Sequence, residues 1–216
     1  MCKGSDLSNS DRIRDSHLNK MKDQKIVIID YDAGNIQSVK YAFERLGITP
    51  VVSNNEEVIR SADKVIFPGV GEAAWAMNSL RKNGLDKLIP QLKQPVLGIC
   101  LGMQLMCESS EESNTKGLGI FPLQVKRFTN ERKVPHMGWN QLDELKGNLF
   151  NGVQAKEYTY FVHSYYVPCS EETVASCSYI LNFSASLQRD NFYACQFHPE
   201  KSGGVGVRIL ENFINL

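Results

Sequence analysis

The sequence lacks any surplus of charge of one sign. Its 216 residues carry 24 Lys and Arg against 24 Asp and Glu, so the formal net charge is +0. Proteins that bind along a polyanion or an anionic membrane face usually carry a basic surplus. The balance therefore argues against nucleic acid and membrane surfaces as partners. With 42% apolar and 22% charged residues, the composition is that of an ordinary globular protein.

Long apolar runs are also missing. No stretch approaches the roughly 20 apolar residues that a membrane-spanning helix needs. Residues 1–24 hold only scattered apolar side chains, so they lack the apolar core of a secretory signal. We expect residues 1–24 to form a polar, disordered extension and residues 25–216 to form one domain. A cytoplasmic location fits these absences.

Metal and cofactor signatures are absent as well. The six cysteines show no C-x-x-C spacing, and no two of the four histidines stand four residues apart. The glycine-rich turns lack the G-x-x-x-x-G-K pattern of a phosphate loop. We therefore expect reduced thiols, no bound metal and no cofactor. Three of the cysteines are expected to pack as small buried hydrophobes: Cys107, Cys177 and Cys195.

What the sequence does contain is an alternation of short apolar runs with amphipathic stretches. Residues 25–30 form a β-branched run that is typical of a strand buried on both faces. Residues 36–47 space apolar side chains by three and four and end at a glycine, as a helix does. Further strands are predicted at 49–52, 64–67 and 95–99. The pattern predicts an α/β fold with a mostly parallel central sheet flanked by helices.

The second half of the chain changes to shorter strand-like runs. Residues 157–167 carry four tyrosines and a phenylalanine, and similar runs cover 174–179 and 192–197. Residues 204–216 return to helical spacing. We predict that the three runs add a partly antiparallel portion to the same sheet and that the last segment is a helix.

Cys100 stands where a buried strand is predicted to end and a helix to begin, between Gly98 and Gly102. A side chain at such a junction sits on a tight turn, and flanking glycines remove the Cβ atoms that would crowd it. At the carboxyl edge of a parallel sheet, the thiol would face a ligand crevice. The positive end of the following helix favours the thiolate, and the backbone N–H of Leu101 can point at an oxyanion. Cys100 is therefore the candidate nucleophile.

A nucleophilic thiol needs a base, and His198 is the best candidate. Pro199 pushes His198 into the extended region. Side chains two apart on an extended segment share a face, so Glu200 can hold the imidazole of His198. His136 and His163 have no carboxylate two residues away, so we expect them to be structural or to line the site.

A glycine turn at residues 68–71 follows the strand predicted at 64–67. Its loop would lie beside Cys100, and glycines let a backbone N–H turn toward an oxyanion. Gly71 is the candidate for the second oxyanion donor beside Leu101. A generic turn between a strand and a helix explains the same glycines equally well.

Two segments together resemble the class I (triad) glutamine amidotransferases: Gly-Ile-Cys-Leu-Gly-Met-Gln at 98–104 and Phe-His-Pro-Glu at 197–200. The likeness extends to residues 29–36, 68–71, 134–140 and 195–202. The resemblance implies a flavodoxin-like fold that hydrolyses glutamine through a γ-glutamyl thioester. It implies Cys100 as the nucleophile, His198 as general base and then acid, and Glu200 as the group that orients His198.

The resemblance also implies the remaining site residues and a partner. Leu101 and Gly71 would be the oxyanion donors. Glutamine would contact four side chains: Gln104, Glu112, Ser164 and Tyr165. A protein partner would dock on the face around three others: Trp139, Asn140 and Lys201. In similar members of the family, ammonia passes into a (β/α)8-barrel cyclase that forms a heterodimer with the amidotransferase subunit.

Other interpretations stay open at this point. A free-standing thiol hydrolase of the same fold, such as a γ-glutamyl hydrolase, would share the cysteine and histidine motifs. A paralogous amidotransferase subunit would supply its ammonia to a different synthase. A scaffold subunit without catalytic activity would keep the fold, but the intact set of Cys100, His198 and Glu200 argues against it.

Overall fold

A computed structural model describes residues 24–32 and 35–216. The predicted leader, residues 1–24, lies outside the described part of the chain except for Gln24. No helix within the described ranges is long and apolar enough to cross a membrane.

Strands and helices alternate along the first half of the described chain, and strands dominate the second half. The strands are β1 (Ile26–Ile29), β2 (Val51–Ser53), β3 (Lys64–Gly69), β4 (Val96–Cys100), β5 (Cys107–Ser110), β6 (Thr115–Lys116), β7 (Phe121–Arg127), β8 (His136–Gln141), β9 (Tyr158–His163), β10 (Tyr165–Tyr166), β11 (Thr173–Ser178), β12 (Asn182–Arg189) and β13 (Phe192–Cys195). The α-helices are α1 (Ile36–Arg45), α2 (Glu56–Arg60), α3 (Ala73–Lys82), α4 (Leu85–Leu88), α5 (Leu101–Met106) and α6 (Gly203–Ile214). Short 3-10 turns lie at Ile89–Gln91, Glu112–Asn114, Asn148–Phe150 and Pro199–Lys201.

The central sheet has seven strands in the order β11-β12-β13-β4-β3-β1-β2. Five of them, β2, β1, β3, β4 and β13, are mutually parallel. Their order is the 2-1-3-4-5 order of flavodoxin-like folds. β12 and β11 continue the sheet in antiparallel fashion. The predicted fold class, a mostly parallel sheet with an added antiparallel portion, is confirmed.

The predicted strand run at 157–167 does not join this sheet, which corrects our expectation. β9 pairs with β8 in a separate two-stranded ribbon, and β10 pairs with β7 in a small second sheet. The apolar pattern of a segment shows that it is a strand and which face it buries. It does not show the strand with which it pairs, because that choice depends on contacts far away in the sequence.

Helices cover both faces of the central sheet. Every residue of β1, β3 and β4 is buried, and successive side chains point to opposite faces. Helices α3, α4 and α5 pack on one face, while α1 and α6 pack on the other. Phe43 of α1 and Phe213 of α6 are fully buried there. Burial of each such side chain stabilises the fold by about 1.5–3 kcal/mol.

Three neighbouring parallel strands end at one edge of the sheet. Gly69 of β3 is paired with Cys100 of β4, and Cys195 of β13 is paired with Ile99. The residues that follow these strands must therefore lie side by side. This edge carries the candidate active site.

Candidate active site

Cys100 forms a sharp elbow between β4 and α5. Its backbone has φ 54° and ψ −107°, a region that residues other than glycine rarely occupy. A Cβ atom on Gly102 would collide with the backbone oxygen of Phe67, and one on Gly98 would lie 2.8 Å from Sδ of Met106. Only glycines fit at both flanking positions. The strained turn, which costs about 1–3 kcal/mol, thus holds the Cys100 side chain at the sheet edge.

The sulfur of Cys100 lies in a nearly closed environment. The residue is 6% exposed. Its Sγ can donate to the backbone oxygen of Val162 at 3.9 Å, and it accepts from Nε2 of Gln196 at 3.7 Å. Burial raises the pKa of the core cysteines Cys177 and Cys195 to about 12. Those two thiols stay neutral at physiological pH.

His198 and Glu200 are joined by a buried hydrogen bond. Nδ1 of His198 donates to Oε1 of Glu200 at 2.8 Å. His198 is extended, with φ −101° and ψ 95°, as predicted. Glu200 reaches it in a different way from the one we expected, because Pro199–Lys201 forms a 3-10 turn and not an extended segment. The tight turn, and not strand alternation, brings the carboxylate back to the ring.

The charges around His198 favour its protonated form. Burial alone lowers the pKa of His198, but hydrogen bonding and charge from Cys100 and Glu200 outweigh it and raise the pKa to about 10. Among the described residues, Nε2 of His198 has no hydrogen-bond partner. The 2.8 Å bond from Nδ1 to Glu200 is therefore the hydrogen bond that accounts for the raised pKa of His198. The unpartnered Nε2 is the ring nitrogen that can exchange a proton with a reacting group.

A cavity of about 280 Å³ opens over these residues. It lies at the lower end of the size range of small-molecule sites. Twelve residues line it: Val70, Gly71, Cys100, Leu101, Gln104, Glu112, Pro135, Val162, His163, Ser164, Tyr165 and His198. Within residues 24–32 and 35–216, no three His, Cys, Asp or Glu side chains are grouped as metal ligands.

The two candidate oxyanion donors lie on the wall of this cavity. Leu101 begins α5 directly after Cys100, and Gly71 lies in the loop after β3 with φ +103°. The end of β3, from which this loop begins, is anchored because the buried hydroxyl of Tyr31 donates to the backbone oxygen of Pro68 at 2.7 Å. Leu101 and Gly71 therefore line the same cavity as Cys100.

Glu112 and Gln104 supply polar atoms to the cavity. Oε2 of Glu112 accepts from the backbone N–H of Ala73 at 2.9 Å, and burial raises the pKa of Glu112 although this bond lowers it. Nε2 of Gln104 donates to the backbone oxygen of Tyr165 at 3.1 Å and to Oε1 of Gln196 at 2.9 Å. Its Oε1 makes no hydrogen bond to the part of the chain that the structure describes, so it can accept from a ligand.

Ser164 and Tyr165 follow His163 and also line the cavity, and a chain of hydrogen bonds fixes this segment. Nδ1 of His163 donates to the backbone oxygen of Tyr165 at 2.7 Å, so its Nε2 must accept from Nδ1 of His136 at 3.0 Å. Nε2 of His136 then accepts from Asn140 at 3.2 Å. Burial lowers the pKa of His136 to about 4 and that of His163 to about 3, so both rings are neutral. Their role is structural and lining, in line with our expectation.

The three residues predicted to meet a partner lie close to the site. Trp139 of β8 is 54% exposed. Its ring packs edge-on against the ring of Tyr160 of β9, with the two ring centroids 6.0 Å apart. The backbone oxygen of Tyr160 accepts a hydrogen bond from the backbone N–H of His198 at 2.9 Å, so β9 contacts the segment that carries His198. Lys201, three residues after His198, is exposed, and Asn140 is half-buried beside Trp139. The ribbon and the histidine segment thus form one continuous surface.

Two residues of the site received no role from the sequence. Asn35 donates to Glu200, and Gln196 donates to Cys100. A signal was present for Gln196, because it is a polar residue at the end of an apolar strand, next to the candidate base. Asn35 carried no such signal, because 165 residues separate it from Glu200.

Fold and site together are those of an α/β enzyme with a cysteine, histidine and glutamate arrangement at the sheet edge. A sequence profile described as "Glutamine amidotransferase class-I" matches residues 27–216. The chain belongs to this family, the class I glutamine amidotransferases.

Three similar relatives carry one name. The chain is 58% identical over 195 residues to "Imidazole glycerol phosphate synthase subunit HisH" of Bacteroides fragilis (strain YCH46), covering 89% of this chain and 100% of that protein. A protein of the same name from Bacteroides thetaiotaomicron is 55% identical over 195 residues, with 89% and 100% covered. Another from Shewanella sediminis is 47% identical over 200 residues, with 90% and 92% covered.

Solved structures support the same fold. The crystal structure of one glutamine amidotransferase superposes with a TM-score of 0.68 at 19% identity, covering 88% of this chain and 97% of that one. A glutamine amidotransferase from Thermotoga maritima gives 0.56 at 15% identity, with 82% and 76% covered. Likeness at such identities concerns the fold alone.

Proposed function

We propose that this chain is the glutaminase subunit of imidazole glycerol phosphate synthase. It hydrolyses glutamine to glutamate and ammonia, and the ammonia passes to a (β/α)8-barrel cyclase subunit for histidine biosynthesis. The two subunits form a cytoplasmic heterodimer. The relatives named above, up to 58% identical, support the choice of synthase. The observation that carries the glutaminase chemistry is the unpartnered Nε2 of His198, which lines the same cavity as Cys100 while Nδ1 is held by Glu200.

In the first half of the reaction, the sulfur of Cys100 attacks the side-chain carbonyl carbon of glutamine. The raised pKa of His198 means that the imidazole keeps the proton that the thiol has lost. The tetrahedral intermediate carries a negative oxygen, which the N–H groups of Leu101 and Gly71 stabilise. His198 then gives its proton to the departing nitrogen, the C–N bond breaks, and ammonia leaves a γ-glutamyl thioester on Cys100.

In the second half, water hydrolyses the thioester. His198, now neutral, removes a proton from water as the oxygen attacks the thioester carbonyl. The C–S bond breaks, glutamate is released, and the sulfur of Cys100 leaves as thiolate. Glu200 holds the ring of His198 in one orientation and stabilises the imidazolium in both halves.

The polar atoms of the cavity suit the free amino acid. The carboxylate of Glu112 and the unpartnered Oε1 of Gln104 are acceptors for the α-ammonium group. Ser164 and Tyr165 line the same cavity, where they can contact the rest of the substrate. The small cavity favours a single amino acid over a γ-glutamyl polymer, which argues against a γ-glutamyl hydrolase.

The proposal is tested by comparing glutamine and ammonium salts as nitrogen sources in the reconstituted heterodimer. We expect Cys100→Ala to abolish glutamine-dependent synthesis and to leave ammonium-dependent synthesis intact. Cys169→Ala, a change at an exposed cysteine, is the matched control and should leave both intact. Glutamine use that survives Cys100→Ala would refute the assignment of the nucleophile. Glutaminase activity that the barrel cyclase and its ligand fail to stimulate would point to a different synthase.

A further inference from the structure

Gln196 directs its side-chain amide at the sulfur of Cys100. It follows β13 directly, is fully buried, and is fixed by its backbone N–H, which donates to the oxygen of Ala185 at 2.8 Å. Its Nε2 lies 3.7 Å from Sγ of Cys100. The reaction scheme above gives this residue no task, although it touches the reacting atom.

The neighbours of Gln196 determine which end of its amide faces the sulfur. The backbone oxygen of Tyr165 can only accept, so Nε2 of Gln104 must be the donor toward it. The same nitrogen donates to Gln196, which must therefore present its oxygen to Gln104. The nitrogen of Gln196 is then left to face Cys100. The same oxygen of Tyr165 also accepts a hydrogen bond from His163. This bond fixes the end of the hydrogen-bond chain that lies farthest from Cys100.

We propose that Gln196 is a further catalytic residue, which donates a hydrogen bond to the sulfur of Cys100 and stabilises its thiolate. A neutral thiol is a weak acceptor, whereas an anionic sulfur is a strong one. A fixed N–H donor therefore favours the ionised form. The benefit disappears while the sulfur carries the γ-glutamyl group and returns when the thiolate leaves. The inference rests on the proposed role of Cys100 as the nucleophile.

The burial of the site explains why such a donor is needed. An ionised sulfur in an apolar core is strongly disfavoured unless donors surround it. Burial raises the pKa of Cys177 and of Cys195 to about 12, which shows what the core does to an ordinary thiol. Cys100 is 6% exposed, so solvent offers its sulfur little help. Gln196, which directly follows β13, provides a protein donor in place of water.

The inference is tested by measuring how fast iodoacetamide alkylates Cys100 across a pH series, with peptide mass spectrometry to separate the cysteines. Gln196→Met removes the N–H at nearly constant shape, and Gln196→Glu replaces it with an acceptor. We expect both to move the half-maximal pH of labelling upward by about one unit and to slow labelling about tenfold at neutral pH. The measurement uses the full chain, alone and in its complex, and needs no glutamine turnover.

Ser186→Ala is the matched control. It removes another buried hydrogen bond at the β12–β13 pair, from Ser186 to the oxygen of Ala194 at 2.7 Å, without touching Cys100. The labelling profile should stay unchanged in this variant. A profile that is unchanged in both Gln196 variants, or shifted equally by Ser186→Ala, would overturn the proposal. In the natural chain, Cys100 that labels no faster than exposed Cys169 would instead count against the proposed function.

A second measurement leaves Gln196 in place, so that it does not depend on how the variants fold. In the natural chain with glutamine side chains labelled by ¹⁵N, the amide signals of Gln196 should shift over the pH range in which Cys100 ionises. They should lose that shift in Cys100→Ala. Signals that do not respond to the ionisation of Cys100 would also overturn the proposal.

Discussion

The carboxamide nitrogen of Asn35 donates a hydrogen bond of 2.6 Å to Oε1 of Glu200. The same oxygen accepts from Nδ1 of His198, so one carboxylate oxygen serves two donors. Oε2 of Glu200 is buried and has no partner in the described residues. Asn35 stands just before α1 in the left-handed conformation, with φ 74°. It therefore limits the rotation of the carboxylate that orients the base.

Asn35→Gly should weaken this control of the base. Glycine tolerates the left-handed backbone, so the change removes the amide with little strain. We expect kcat for glutamine hydrolysis in the complex to fall about tenfold, which corresponds to ~1.4 kcal/mol. KM should change little, because Asn35 does not line the cavity. Asn35→Asp, which puts a second carboxylate beside Glu200, should lose more activity than Asn35→Gly. An equal fall in kcat and rise in KM would contradict this positioning role.

The neutral pair of His136 and His163 should make the fold sensitive to acid. Both have pKa values in the folded chain, about 4 and about 3, that lie below the usual 6.5 of the unfolded chain. As pH falls below about 6.5, the unfolded chain binds protons that the folded chain rejects, so stability decreases. Each ring adds a slope of about 1.4 kcal/mol per pH unit. Urea unfolding between pH 7 and 4.5 measures it.

His136→Gln should reduce the slope of unfolding free energy against pH by about 1.4 kcal/mol per pH unit, which is the contribution of one proton. His198→Gln is the control, because the pKa of His198 is raised and its effect has the opposite sign. The stability from His198 is fully present below about pH 6.5 and is lost as pH rises toward about 10. The control should therefore keep the acid slope and change only the alkaline side. An acid slope that is the same with and without His136 would contradict the assignment.

Gly102→Ala should damage the elbow that carries Cys100. The added Cβ would collide with the backbone oxygen of Phe67 on β3, which cannot rotate away. We expect a loss of about 1–3 kcal/mol in the free energy of unfolding, together with a loss of glutaminase activity. Gly204→Ala is the matched control, since a Cβ there meets nothing within 4 Å. On helix α6 it should stabilise by up to about 1 kcal/mol. Equal thermal unfolding of both variants would disprove the packing argument.

Trp139→Ala should weaken docking of the barrel cyclase. An exposed tryptophan on a firm strand pair is the type of side chain that dominates binding energy in interfaces. We expect an affinity loss of about tenfold or more by titration calorimetry, with an unchanged thermal unfolding midpoint. Trp75→Ala is the control, because Trp75 is similarly exposed, 49%, but lies on α3 outside the ribbon. Equal losses for both tryptophans would remove the ribbon from the interface.

The parallel half of the fold could be predicted because its inner strands β1, β3 and β4 are buried on both faces and therefore read as short apolar runs. β12 was not predicted, because it does not read as an apolar run. Its Ser184 and Ser186 are fully buried yet polar, and their hydroxyls are satisfied by Thr173, Pro168 and Ala194. Hydropathy cannot reveal a strand whose polar side chains find partners only after folding.

The candidate triad could be predicted because each member lies in a short motif with its own chemical logic. Glycines flank Cys100, and His198 and Glu200 are two residues apart. The contacts of Asn35 and Gln196 could not be predicted in this way. Both depend on which strands become neighbours, and that information is spread over the whole chain.

The place of β13 in the sheet affects how the protein is made. It inserts between β4 and β12, although it is the last strand along the chain. During synthesis, the elbow cysteine emerges almost a hundred residues before this strand does, and until then an open slot lies beside it. His198 and Gln196 reach Cys100 only when β13 has taken its place between β4 and β12. In an unfinished chain, Cys100 therefore has neither Gln196 nor His198 beside it.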